Sequence, residues 1–184
     1  MDKIIRIFKK EISETFTLHY PFTTYSCVLE PAMEPLLNYL GHVFTMGREI
    51  PEVSVSDYSK KKKFMGKVEK VAKADFFSLA KKLDYEGMGN KQHEFVENAF
   101  LNEDTHTVAV EVPVGDSEMG GFIDIVRLKD GVVQVLDFKP KANKEKYAAI
   151  QVYTYMNLLK QNAPDIEKIE GFYFDNKHCY KVFY

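Results

Sequence analysis

Cysteine is nearly absent, with Cys27 and Cys179 the two thiols in 184 residues. They stand far apart in no metal-ligand spacing, and two are too few to hold a zinc ion or an iron-sulfur cluster alone, so they read as packing residues. No apolar run approaches the roughly 18 to 20 residues that a membrane-spanning helix needs. The opening segment, MDKIIRIFKK, also lacks the longer apolar run of a secretory signal. The expectation is a soluble intracellular protein with no membrane partner, located in the cytoplasm, or in the host cytoplasm if the source is viral. Net charge is small as well: 25 Lys+Arg against 27 Asp+Glu leave -2, which suits neither a histone-like polycation nor an acidic mimic of nucleic acid. Repeats and low-complexity linkers are missing, so 1–184 reads as one domain. What is present, 45% hydrophobic and 28% charged residues, excludes a disordered tail, a collagen-like rod and a disulfide-stapled mini-protein.

The first half reads as mainly helical. Leu36, Leu37 and Leu40, led by Pro31, Ala32 and Met33, suggest a helix begun by a proline in its first turn. Ser59 to Lys82 is a basic stretch with apolar residues interleaved, read as helical with a break near Asp75. From Asn90 the hydrophobic period switches cleanly. Lys91 to Leu101 reads as a helix whose inward stripe is His93, Val96 and Phe100. Thr107 to Val114, Phe122 to Lys129 and Val132 to Lys139 read as strands, the last two joined by Asp130-Gly131, a strong hairpin signal. Lys144 to Gln161 is a helix, and Ile169 to Phe174 with Cys179 to Tyr184 make a last pair of strands around Asp175-Asn176. The class is α/β or α+β, a central mixed sheet flanked by helices.

A two-residue turn at Asp130-Gly131 makes facing residues sum to 261, so Asp124 faces Asp137. Directly opposed residues bring their Cβ atoms to about 4.5–5.5 Å, where like charges destabilise. Both acids stand in apolar strands, so the pair requires a cation or a shared proton between them, unless the register differs and one or both acids stand at the surface. Hard ions such as Mg²⁺ or Mn²⁺ prefer oxygen ligands and suit such a place. Strand period puts Lys139 on the same face as Asp137, where it either forms a plain salt bridge or orients water and offsets phosphoryl charge. Gln151 and Tyr155 share one face of the next helix. His93 is either a satisfied core histidine or an imidazole ligand for an oxygen-rich site. Glu111, among Val108, Val110 and Val112, is either a support for that site or exposed.

In order, Gly89-x-x-x-His93, Glu111, Gly121-Phe-Ile-Asp124, Asp137-Phe-Lys139 and Gln151-x-x-x-Tyr155 resemble the RecB-type branch of the PD-(D/E)xK nuclease superfamily, over roughly Gly87 to Tyr184. The resemblance implies a restriction-endonuclease-like core at 87–184 behind a helical N-terminal half, 1–86, that faces DNA. It implies hydrolysis of DNA phosphodiester bonds with Mg²⁺ or Mn²⁺. By the same likeness His93, Asp124, Asp137 and the backbone carbonyl of Phe138 ligate the ion, and Lys139 is the catalytic lysine. Gln151 and Tyr155 steady that lysine and contact DNA, and Glu111 matches a less fixed acidic position. The four cysteines of the iron-sulfur members are missing, so no cluster is expected. Helicase motifs are missing too, which suits a stand-alone nuclease.

A DNA substrate gives the basic stretch a role. Ser59 to Lys82 carries nine lysines against Glu69 and Asp75, or +7, leaving -2 minus 7, or -9, for the rest of the chain. Lys60, Lys61, Lys62, Lys63 and Lys67 are its candidate phosphate contacts, with a solvated helix face as the plain alternative. The preferred substrate is single-stranded DNA or DNA ends, cut exonucleolytically, in replication, repair or recombination. Two other functions stay open: a silent DNA-binding module, and an accessory protein docking on a repair or replication complex. Polarity and oligomeric state are not legible.

Overall fold

A computed structural model of the chain describes residues 4–13, 16–24, 34–46 and 51–183, with side chains described over 34–43 and 51–183. Cys27, the proposed helix start at Pro31 to Met33, and Tyr184 lie outside the described residues. The strands are β1 (Ile4–Ser13), β2 (Phe16–Thr24), β3 (Lys67–Lys70), β4 (Thr107–Gly115), β5 (Gly120–Lys129), β6 (Val132–Phe138), β7 (Ile169–Phe174) and β8 (Cys179–Phe183). The helices are α1 (Glu34–Met46), α2 (Val55–Lys60), α3 (Phe77–Ala80), α4 (Gln92–Glu103) and α5 (Ala148–Asn162). All eight strands join one mixed sheet in the order β1-β2-β4-β5-β6-β7-β8-β3. Among the strand pairs of the described residues, β6 and β7 run parallel, because α5 carries the chain from one to the other, and the others are antiparallel. The architecture is that of a restriction-endonuclease-like α/β fold, a mixed sheet flanked by helices.

The β5–β6 hairpin follows from two residues. Asp130 and Gly131 both have positive φ, 50° and 71°, the backbone that a type I′ turn demands. Pairing then runs from Lys129↔Val132 to Ile125↔Leu136, every pair summing to 261. Asp124 and Asp137 lie one step beyond the last pair. β6 is buried from Val133 to Phe138, as a central strand covered on both faces must be. One face packs on α4 and α3 through Phe76, Phe100, Leu136 and Phe174. The other packs on α5 and α1 through Leu40, Val135, Val152 and Met156. Gly171 permits the α5 contact, since a Cβ there would stand 2.4 Å from Val152 Cγ1.

The N-terminal half differs from its helical reading. It supplies α1 and α2, but also β1 and β2 at one side of the sheet and β3 at its other edge. The basic stretch is not one helix: it closes α2, turns at Gly66, forms β3 against β8 and ends in the short α3. A Cβ at Gly66 would stand 2.6 Å from the Phe183 carbonyl oxygen, so the chain passes too close to β8 for a helix to continue. Local composition favours a helix there, and long-range strand pairing overrides it.

Candidate active site

Acidic side chains gather where β6 ends and α4 begins. Asp124 projects from β5, 8% exposed, and its Oδ2 accepts the Phe138 backbone N–H at 2.7 Å. Asp137, on the next strand, is 2% exposed. Lys139 follows at the strand end, anchored by its N–H to the Phe174 carbonyl at 2.9 Å. Its ammonium lies 2.7 Å from Asp137 Oδ2. That oxygen nevertheless has no well-aligned hydrogen bond, so the contact is an ion pair by distance and leaves a buried lone pair unused. The expected facing of Asp124 and Asp137 falls one step past the paired residues, and the two lie close enough for the Asp124 charge to act on Asp137, with Lys139 beside it.

His93 enters from the first turn of α4, its Nδ1 3.5 Å from Asp124 Oδ2 and its ring edge-on to Phe138. One turn later, Glu97 is buried at 6% exposure with Oε1 unpaired. Donor atoms of His93, Glu97 and Asp124 lie within 4.8 Å of one another. The sequence reading missed Glu97 although its spacing, four residues after His93 on the inward stripe, carried the signal. The structure groups Glu97 with His93 and Asp124, and sets Asp137 against Lys139.

Glu111 sits at a break in the pleat. Its φ of 50° is left-handed backbone inside a strand, a strained state for a residue other than glycine. Val110 and Ile125 pack on the α4 side of the sheet, whereas Val112 and Ile123 pack on the α5 side. Strict alternation would keep Val110 and Val112 together, so the break at Glu111 and its neighbour Asp124 shifts the pleat by one. The shift explains why the valines around Glu111 alternate poorly in sequence. It also brings Glu111 within hydrogen-bonding reach of Glu97.

The electrostatics follow from crowding carboxylates away from water. Burial raises the Glu97 carboxyl, and the nearby charges of Glu111 and Asp124 raise it further. Glu111 is raised by burial and then by Asp124. Asp137 is raised by burial, against the pull of Lys139. The Asp124 carboxylate raises the His93 imidazole, favouring its protonated form. Burial opposes the charge on Lys139, but Asp137 and Asp124 outweigh it and hold an ammonium there. Glu97 Oε1 and Asp137 Oδ2 are the buried acceptors without hydrogen bonds among the described residues. Buried acceptors of this kind are rare unless a cation satisfies them, so the donor set fits a divalent ion with oxygen and imidazole ligands.

On the opposite wall, Gln151 and Tyr155 are buried on one face of α5. Gln151 Nε2 donates to Ser56 Oγ of α2 at 3.2 Å. The Tyr155 oxygen is bonded to the backbone of Phe122, and burial first, then Asp137 and Asp124, hold its proton on. Gly121 makes room for it, since a Cβ there would stand 3.0 Å from that hydroxyl.

Lys60, Lys61, Lys62, Lys63 and Lys67 are all exposed. Lys60 pairs with Asp57 at 2.8 Å, and Lys67 pairs with Glu69. Phe76 and Phe77 are core residues, 2% and 3% exposed, and present no face to a ligand. A second basic run, Lys141, Lys144 and Lys146, is exposed on the loop that leads from Lys139 to α5. No helix among the described residues is long and apolar enough to cross a membrane.

A family model described as the PD-(D/E)XK nuclease superfamily matches residues 54–182. No curated protein and no solved structure matches the chain significantly.

Proposed function

The chain belongs to the PD-(D/E)XK nuclease superfamily, and from that premise we propose that it is a divalent-metal-dependent deoxyribonuclease acting on single-stranded DNA or DNA ends. The observation that carries this reading is the convergence of Asp124, Asp137 and Lys139 beside His93 and Glu97, with the buried Glu97 Oε1 left unpaired and Asp137 Oδ2 met only by the Lys139 ammonium. Nucleases of this superfamily use divalent metals. Asp124, Glu97 and His93 would hold the ion, with Asp137 and the Phe138 carbonyl completing its shell. When bound, such an ion favours ionisation of a water and offsets negative charge on phosphoryl oxygens.

The chain's own groups do the rest. Lys139, kept charged by the two aspartates, points an ammonium at the attacking oxygen and adds positive charge where the phosphoryl oxygens gain negative charge. Asp137, almost sealed from water, keeps that ammonium in place. Tyr155, a phenol that retains its proton beside three carboxylates, is a donor for a phosphate oxygen or for the lysine's surroundings. Gln151 ties α5 to α2 and so links the basic segment to this wall. RecB-type descent, an exonucleolytic mode, a role in repair or replication and a cytoplasmic location are part of the same proposal.

The test is a cleavage time course on linear and circular DNA, single- and double-stranded, with Mg²⁺ or Mn²⁺. Wild type should degrade linear single strands and leave circles intact. Asp124→Asn and Lys139→Ala should each lower the rate by about two orders of magnitude or more, the loss typical of removing one charge-stabilising group. Equal traces of product from wild type and both variants would end the assignment.

A further inference from the structure

A cleft separate from the acidic centre runs between the Tyr58–Gly66 segment and the outer face of α5. It has a volume of about 570 Å³ and none of His93, Glu97, Asp124, Asp137 or Lys139 lines it. On the helix side it is lined by Thr154, Asn157 and Gln161. Their spacing of three and then four residues puts them on one helical stripe. Their side chains make no hydrogen bond to another described residue: Gln161 is exposed, Asn157 is half-buried and Thr154 is 7% exposed. Amide and hydroxyl groups that line a cleft and bond to water there are free to exchange that water for a ligand's donors and acceptors.

The other wall is aromatic and cationic. Phe64 meets Tyr153 edge-on, with centroids 5.9 Å apart. Met65 is 85% exposed at the lip, the most exposed of the large apolar side chains described. Lys62 and Lys63 have no carboxylate partner among the described residues, and the Lys62 ammonium lies over the Tyr58 ring. Two acids also line the cleft, Asp116, whose Oδ1 accepts the backbone N–H groups of Glu118 and Met119, and the exposed Glu118. A flat, weakly polar, hydrogen-bonding ligand that carries negative charge along the edge facing Lys62 and Lys63 would meet the lysines, the rings and the amides together. A nucleotide strand with its bases turned inward has that chemistry: phosphates toward lysines, base faces toward Phe64, Tyr153 and Met65, base edges toward Asn157 and Gln161. A duplex, with its bases stacked and paired, offers only phosphates.

We propose that this cleft binds unpaired bases of single-stranded DNA on their way to or from the acidic centre, so that Asn157, Gln161 and Met65 give the protein its preference for single strands. The proposal rests on the nuclease reading for its purpose but on the cleft alone for its chemistry. Tyr155, the residue after Thr154 on α5, is acted on by the charges of Asp137 and Asp124, so the cleft and the acidic centre share α5.

Binding is measured by fluorescence anisotropy on the full chain carrying Asp124→Asn, which removes turnover from the measurement. The probes are a labelled twelve-nucleotide oligo-dT, the same strand with abasic sugars, and a duplex of equal length. The parent should bind oligo-dT at least tenfold more tightly than the abasic strand. Asn157→Ala with Gln161→Ala, and independently Met65→Ala on its exposed side chain, should weaken oligo-dT binding roughly tenfold, the scale of losing base contacts. Both should leave the abasic strand and the duplex within twofold. Oligo-dT binding unchanged in both variants, or an equal loss for the abasic strand, overturns the proposal. The nuclease reading is judged separately on the otherwise unaltered chain: absence of metal-dependent cleavage sinks that reading, whereas cleft-dependent binding of bases stands without it.

Discussion

Glu97 combines two properties that rarely coexist without a ligand: a carboxyl on the inward face of α4, and an oxygen with no partner. Burial and the neighbouring acids raise its pKa, so without a cation it keeps a proton and shares a hydrogen bond with Glu111. An ion must displace that proton, as well as the one favoured on His93 by Asp124, so binding should release protons and tighten as pH rises. Glu97→Gln keeps the shape and the hydrogen bond but removes an anionic ligand. In its presence Mn²⁺ affinity, read by titration calorimetry, should fall at least tenfold. The midpoint of thermal unfolding in the absence of divalent ions at neutral pH should hold or rise, because the amide is neutral already, whereas Glu97 must take up a proton to be buried. Unchanged Mn²⁺ affinity would remove Glu97 from the ligand set.

At the scale of elements, the site depends on how closely α5 lies on the sheet. A Cβ at Gly171 would meet Val152 Cγ1 at 2.4 Å and Met156 Sδ at 2.6 Å, so Gly171→Ala must push α5 away from β7. The expected cost is about 1–3 kcal/mol, the range for overpacked cores, read as a lower urea midpoint. Because Gln151 and Tyr155 ride on the same helix, cleavage should weaken beyond what the lost stability explains. Gly121→Ala gives a gentler control, with its Cβ 3.0 Å from the Tyr155 hydroxyl. It should lower activity with little change in the urea midpoint. The β5–β6 hairpin was legible because Asp130-Gly131 fixes its own turn, and with it the meeting of Asp124 and Asp137. The pleat shift at Glu111 was not, since it arises from a backbone state that residue identity does not favour. β3 was hidden for another reason: its four residues, Lys67 to Lys70, carry charge at both ends and become a strand only by pairing with β8, more than a hundred residues away. Glu97 is within reach of the helical periodicity, four residues after His93, but a carboxylate beside an apolar stripe reads by default as exposed, since buried carboxylates are rare.

Across the whole molecule, two sets of acids give the stability opposite dependences on pH. Asp104 and Asp75 grip the fully buried Arg127, with Arg127 Nε 2.7 Å from Asp104 Oδ2 and Nη2 3.0 Å from Asp75 Oδ2. Burial raises both carboxyls, but the hydrogen bonds from Arg127 outweigh it and hold them below the usual range. A carboxyl lowered by folding contributes stability that is present above its unfolded value, about 4, and lost as pH falls through the folded one. Asp137 has the reverse sign: burial pushes it up to about 7 from 3.8. Its contribution is full below the unfolded value and fades as pH rises through the folded one. Without divalent ions the urea midpoint should therefore peak between about pH 4 and 5, falling below through Asp75 and Asp104 and above through Asp137, Glu111 and Glu97, with the Glu97 part of the decline continuing past pH 7. Asp104→Asn should make the acid limb shallower. Mn²⁺ at a hundredfold excess over its Kd should lift the neutral limb by about 2.7 kcal/mol and leave the acid limb in place, because the Arg127 network lies outside the proposed ligand set. A curve flat from pH 4 to 7 without ions, or one that Mn²⁺ raises equally at both ends, would show that the acidic centre carries no unbalanced charge for a cation to relieve.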